Sequence, residues 1–349
     1  MKSNMDHHHD RGGSSKLATR HKPPVVWSIV VDGVLAALIM FVFYITNYVI
    51  KPETVSQPLP TPSGYSGQTT QTTAVLGATT DPAQTSVQES AQATTPADSA
   101  QWRARFADKF TNGAIEKTLT TYKSANINVS IDKVLKDGVT YYIADIYVAD
   151  LRYFKTAFAK KPDVMGYREF TDVVARENDA IIAINGDHCT DNGGPVVRNG
   201  KLYRDEKLAD ALVMNYDGSM QTFTADQLDM NKIKTEGAYQ VWTFGPMLLD
   251  NGQPMTQFNS TITGANPRTA VGFYEPGHYC FVVVDGRQPG YSNGYTLSDL
   301  SQLFYRQGCT VAFNLDGGQS TELVFMGKLI NQPYHGGRST TDILYIADQ

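Results

Sequence analysis

The chain has 349 residues, of which 41% are hydrophobic and 19% charged, with a formal net charge of −5. That length exceeds an average domain, and the composition excludes a collagen-like or wholly disordered chain. The acidic balance argues against nucleic acid as a partner, and three cysteines with no CxxC pair exclude a disulfide-dense scaffold and a zinc ribbon.

Residues 1–24 form a polar tail in which Lys2, Arg11, Lys16, Arg20 and Lys22 outnumber Asp6 and Asp10; His7, His8 and His9 suggest no function there. Residues 25–50 are largely apolar, with Asp32 the one charge, and 33–50 carry none. As a helix that uncharged run spans roughly 27 Å, against a hydrocarbon core of about 30 Å. Trp27 stands near one end and Tyr44 and Tyr48 near the other, where amphipathic rings favour an interface. A cleaved signal peptide would have a shorter apolar run and a small-residue cleavage site, which Asn47-Tyr-Val-Ile-Lys-Pro52 does not offer. The expectation is therefore an uncleaved, single-pass signal anchor over 25–50. Positive charge precedes it and only Lys51 follows, which puts the tail in the cytoplasm and the C-terminal part outside the cell. Residues 51–100, rich in Thr, Ser, Gln, Pro and Ala, bury too little apolar surface to offset ordering entropy and read as a disordered stalk.

From 101 to 349 short strand-like runs alternate with turns. The spacing predicts a strand over 140–148, a helix over 168–177 with Phe170, Val173 and Val174 on one face, and an apolar strand over 180–184. Hairpins follow, over 211–224 around Asp217-Gly218 and over 268–285 around Glu275–His278. Thr296-Leu-Ser-Asp299 is a capping box opening a helix that stops at Gly308, and strands over 309–315 and 341–347 close the chain. The fold class is α+β: a mixed β-sheet with packed helices, preceded by one transmembrane helix and the stalk. On this topology Cys280 and Cys309, each opening a strand, are candidates to pair, and an odd total leaves at least one thiol over.

Three apolar strands end in polar, glycine-containing tips: Asn185-Gly-Asp-His188, Asp285-Gly-Arg-Gln288 and Asp316-Gly-Gly-Gln-Ser320; a fourth element puts Arg268 at the start of a strand. Singly, each Asp-Gly pair is most simply a turn. Together they resemble a polar rim gathered on one edge of a sheet.

The runs NGDHC…VVRNGKLYR, WTFGPMLLDNG, NPRTAVGF, FVVVDGRQPG, GCTVAFNLDGGQST and RSTTDILYI, in this order over roughly 120–349, resemble the phosphodiester glycosidase family. Bacterial members are often membrane-anchored or secreted and associated with exopolysaccharide. Two departures stand out: His188-Cys189 where an aromatic pair is common, and Gln319 within a loop that is usually richer in glycine. The resemblance implies cleavage of a sugar-1-phosphodiester. On that reading Asp316, Asp187 and Asp285 supply acid, base or nucleophile, with His188 as a proton carrier. Arg268 and Arg287 grip phosphate, while Asn185, Gly317, Gly318, Gln319 and Ser320 line the substrate. The aspartates could instead hold a divalent cation, Ca²⁺ or Mg²⁺, since oxygen ligands suit hard ions. His335 stands between proton carrier and surface residue, and Tyr291 and Tyr295 between sugar stacking and loop packing. Cys189 as a nucleophile is poorly supported. The expected partner is a phosphodiester-linked sugar, cell-wall or capsular glycan; the alternative is a non-catalytic glycan-binding module on a membrane stalk.

Overall fold

A computed structural model describes residues 25–44, 56–62, 65, 99–161, 163–206 and 208–349. The chain divides into two compact units, Met1–Pro52 and Glu53–Gln349. In the first, Val25–Tyr44 is a helix. Its side chains from Ile29 to Tyr44 are exposed. Residues 45–50, the remainder of the expected span, lie outside the described residues. Among the described residues no helix is long and apolar enough to cross a membrane.

The second unit is dominated by sheets, as an α+β reading requires, with only short helices. The strands are divided among several sheets rather than gathered in one, and every described ladder between them is antiparallel. A seven-stranded sheet has Val311–Asn314 at one edge, then Arg268–Glu275, His278–Val284, Val139–Val148 and Ile127–Lys136, with two short strands beyond. A five-stranded sheet centres on Ile182–Asn185, flanked by Leu323–Phe325 and Asp342–Ile346. A six-stranded sheet includes Val196–Arg198, Lys201–Arg204, Ala211–Met214 and Gln240–Thr243.

Alternation along strands decides which layer each side chain joins. Phe281 and Val283 enter the largest core cluster with Ile184, Leu344, Leu323 and Trp242, so all three sheets share one interior. Val282 and Val284 face the other way, onto Leu297, Leu300, Leu303 and Phe304. That face of helix Leu297–Gln307 is set by the expected capping box, in which Thr296 Oγ1 accepts from Asp299 N at 3.0 Å. Gly308, at φ +84°, closes the helix in the left-handed conformation. The helix expected over 168–177 begins only at Thr171, because Glu169 is tied as a bridge to Thr340 and holds its neighbours extended.

The stretch 51–100 does not behave throughout as the expected disordered stalk. Gln57–Pro58 adds to the edge of the six-stranded sheet against Lys201 and Leu202. Leu59 is buried among Val197, Leu202 and Val241, and its N–H donates to Gly200 O at 2.9 Å. Tyr65 meets Tyr216 edge-on at 4.9 Å. Average composition concealed this strap, since one leucine and one tyrosine in a polar run suffice to fill an apolar groove. Residues 66–98 lie outside the described residues.

Candidate active site

Strand pairing brings the expected tips together. Arg268 is opposite Val284, and Ala270 opposite Asn314, so the start of one strand and the ends of two others share an edge of the seven-stranded sheet. Asn185, at the end of its strand in the five-stranded sheet, clasps the two sheets. Its Nδ2 donates to Asp316 O at 2.7 Å, and its Oδ1 accepts from Thr269 Oγ1 at 2.7 Å and from Glu322 N at 3.2 Å. Fully buried and bonded on both amide atoms, Asn185 is a structural clasp rather than the substrate contact expected.

Asp316 sits at the centre. Its Oδ2 accepts from Arg338 Nη2 at 2.9 Å and lies 3.7 Å from His188 Nδ1. Arg338 also donates from Nε to Ser320 Oγ at 2.5 Å, and Gln319 Nε2 donates to Gly337 O at 2.8 Å, binding the 318–320 turn to the 334–337 loop. Gly318 (φ +64°) donates its N–H to Pro267 O at 3.0 Å, so this amide is taken up within the loop. Arg287 reaches over that glycine: a Cβ on Gly318 would stand 3.1 Å from its Nη1. Gly317 is needed for a different close approach, since a Cβ there would stand 2.7 Å from Pro267 O. Arg287 Nε donates to Asn266 Oδ1 at 2.9 Å and its guanidinium lies 5.7 Å from the centre of the Tyr334 ring. Among the described residues Arg287 makes no ion pair. His188, Arg287 and His335 all have positive φ (58°, 56° and 53°), a costly conformation for non-glycine residues that clusters at functional loops.

Three expected residues take other roles. Asp187 is fully buried: Oδ1 accepts from Arg198 Nη2 at 2.7 Å and Oδ2 from Thr243 N at 2.6 Å. Burial raises its pKa against the pull of Arg198. Asp285 is likewise enclosed, accepting from Asn331 Nδ2 at 2.8 Å, Gln332 N at 3.1 Å and Tyr291 Oη at 2.8 Å. Burial raises its pKa too, and its bonds tie two loops to the strand end. Tyr291 is thereby a partner of that carboxylate. Arg268 donates to the carbonyls of Tyr295 (3.2 Å), Ile262 (2.9 Å) and Gly264 (2.6 Å), so its fork grips the 262–264 loop. Burial, and then the nearby charge of Arg287, lowers its pKa to about 10.

Cys189 is buried with its thiol pKa pushed well up by burial, which removes it as a nucleophile. Asp187, Cys189 and Asp342 are close enough to share a cation. The donor set does not fit Ca²⁺ or Mg²⁺: one donor is a soft sulfur, and Arg198 Nη2 already sits 2.7 and 3.0 Å from the two carboxylates.

Sequence reasoning missed Arg338, and also Arg168 and Asp191, which pair with each other and lie 3.5 and 2.8 Å from His188 Nε2. Arg338 lay in the quoted RSTTD run, and its Gly336-Gly337 approach was the available signal.

The result is a carboxylate beside one guanidinium and an imidazole, with a second guanidinium, that of Arg287, over the neighbouring Gly318. Residues 178–347 match the family described as phosphodiester glycosidase, the family that the motifs resemble. The chain is 32% identical over 192 residues to the SPbeta prophage-derived uncharacterized protein YomE of Bacillus subtilis, covering 52% of this chain and 30% of that protein. It thus spans under a third of that relative's length. In fold it is similar to the zebrafish N-acetylglucosamine-1-phosphodiester alpha-N-acetylglucosaminidase catalytic domain auto-inhibited by pro-peptide, with a TM-score of 0.54 at 21% identity over 69% of this chain and 86% of that one. A hypothetical protein from Synechocystis has a TM-score of 0.50 at 14% identity, over 64% and 62% of the two chains.

Proposed function

We propose that this protein is a membrane-anchored hydrolase of sugar-1-phosphodiesters, with its sheet domain outside the cell and its substrate a cell-envelope or exopolysaccharide glycan. The observation carrying the reading is Asp316, held by Arg338 at 2.9 Å with His188 at 3.7 Å. A glycosidic bond to phosphate needs a carboxylate near the anomeric carbon and donors for the phosphate oxygens. Asp316 supplies the first; Arg287 and Arg338, whose guanidiniums approach the 318–320 turn, supply the second. The family match over 178–347 and the named substrate of the zebrafish relative support the same bond class. Membrane attachment is proposed from the sequence, from the uncharged apolar run 33–50 and the positive charge preceding it.

The test is incubation of the detergent-solubilised full chain with a GlcNAc-1-phosphodiester or a UDP-sugar, watching for free sugar. Release that Asp316→Asn abolishes supports the reading. Binding of the same compounds without release would instead favour a glycan-binding module.

A further inference from the structure

We infer that Asn266 is a positioning residue for Arg287: it occupies one edge of the guanidinium and leaves the other to take a phosphodiester in a single register. The inference rests on the hydrolase reading above. Arg287 Nε donates to Asn266 Oδ1 at 2.9 Å. Among the described residues Nη1 and Nη2, which carry the other four N–H bonds, donate to nothing. They lie 3.1 and 3.4 Å from the place of a Cβ on Gly318, and Arg287 is exposed, so these donors are open to a ligand beside that turn.

The charge of Arg287 is uncompensated as well. Its neighbour Arg268 is committed to the carbonyls of Tyr295, Ile262 and Gly264, and feels Arg287 as a like charge. Two guanidiniums near one another without a carboxylate for Arg287 are relieved by an anion, and only Arg287 has donors left to bind it.

Asn266 is itself firmly held. Its N–H donates to Tyr295 O and its carbonyl accepts from Tyr295 N, both at 3.1 Å. Glycines wall in the same backbone: a Cβ on Gly294 would stand 2.4 Å from Asn266 O, and one on Gly286 2.9 Å from Asn266 C. The amide has one workable orientation. Nδ2 donates to Gly264 O at 3.1 Å, and the reverse orientation would set its N–H bonds against that of Arg287 Nε. Arg287 has φ +56°, a costly backbone conformation, and the bond to Asn266 helps to offset that cost.

A guanidinium has two edges that can grip a pair of oxygens, one made by Nε with a terminal nitrogen and one by Nη1 with Nη2. Asn266 closes the first. A phosphodiester presents two non-bridging oxygens, so it meets the second edge in one register, which fixes where its sugar lies. Without Asn266 both edges are open and the diester has two registers, one of them unproductive.

The experiment uses the full chain in detergent, labelled with ¹⁵N-arginine, with the Nε–H signal of Arg287 assigned by its loss in Arg287→Lys. Wild type should show that signal protected from exchange with water, and should bind diethyl phosphate, a diester it cannot cleave at a sugar. Asn266→Ala should lose the protection and weaken diethyl phosphate binding roughly fivefold, the worth of one ordinary hydrogen bond. KM on a GlcNAc-1-phosphodiester should rise by about the same factor, with kcat within about twofold. Asn266→Asp keeps an acceptor for Nε but neutralises the guanidinium, so it should keep the protected signal while binding the diester as poorly as Asn266→Ala. An Asn266→Ala chain that keeps either the protected signal or its affinity overturns the assignment, as does a wild type that does not bind diethyl phosphate. Should Asn266→Ala fail to fold, Asn266→Asp decides, and loss of the protected signal there overturns the assignment. A wild-type chain that binds diethyl phosphate but releases no sugar defeats the hydrolase reading alone, and the Nε–H signals still uphold or overturn the positioning role.

Discussion

Asp316 and Arg268 looked alike as charged residues at strand ends, yet their surroundings predict opposite consequences of substitution. Asp316 has a side-chain bond to Arg338 and faces His188. Asn at this position keeps the shape and an acceptor oxygen, so Asp316→Asn should cost less than about 1 kcal/mol in stability. Turnover should fall at least roughly 100-fold, because the amide takes no proton and offsets no cation. An active but unstable variant would make Asp316 a turn residue. Arg268 is different, since its three bonds go to loop carbonyls. Arg268→Lys loses the planar fork and should show its main effect in urea denaturation, about 1–3 kcal/mol, rather than in kcat. A stable but inactive Arg268→Lys would return it to the phosphate contacts. Glu322 adds a pH-dependent contribution to stability. Burial pushes its carboxyl from 4.5 up to about 7, with Thr171 and Asp172 as lesser influences. The folded chain thus keeps a proton that the unfolded chain loses. That contribution is complete below about pH 4.5 and disappears as pH rises through about 7, a loss of roughly 3 kcal/mol. Between about pH 5 and 7.5 the melting temperature of the wild type should fall relative to that of Glu322→Gln; parallel curves would refute it.

Local elements were legible because their signals are local. The Thr296–Asp299 capping box and the Gly308 stop need only neighbouring residues, and both are present. The hairpin around Asp217-Gly218 is formed by Ala211–Met214 and Met220–Phe223, as the turn dipeptide indicated. Side-chain direction at the strand tips was not legible, since an Asp-Gly pair marks where a strand ends and not what lies opposite. Arg198 comes to Asp187 from a different sheet, and Asn331 reaches Asp285 from a loop 46 residues away in sequence. Cys280 and Cys309 illustrate the same limit: their pairing was open in sequence, and strand and helix packing brings their Sγ atoms to 3.7 Å. In a thiol–disulfide buffer poised to oxidise, they should lose two hydrogens and form one bond, with the oxidised thiol reagent taking the electrons. By loop closure the link is worth about 3 kcal/mol, read as a higher melting temperature that Cys309→Ser does not gain. A chain whose mass is unchanged by the oxidised buffer would contradict this.

On the scale of the whole molecule, the strap formed by residues 56–62 and Tyr65 alters what protease accessibility reports. If the sheet domain is outside the cell, protease added to intact cells should cut within 66–98 or 45–55; protection until lysis would reverse the orientation. The two cuts have different consequences, however. A cut in 45–55 frees the domain with its strap still attached through 66–98. A cut in 66–98 instead leaves the strap held only by the Gln57–Pro58 pairing, by Leu59 and by the Tyr65 contact. Burying one leucine contributes about 2 kcal/mol, far too little for a stable bimolecular complex at ordinary concentrations. In the intact chain the same contacts suffice because a linker supplies the strap at an effective concentration of order millimolar. A cut anywhere in 66–98 therefore converts a permanent edge strand into a dissociable peptide ligand.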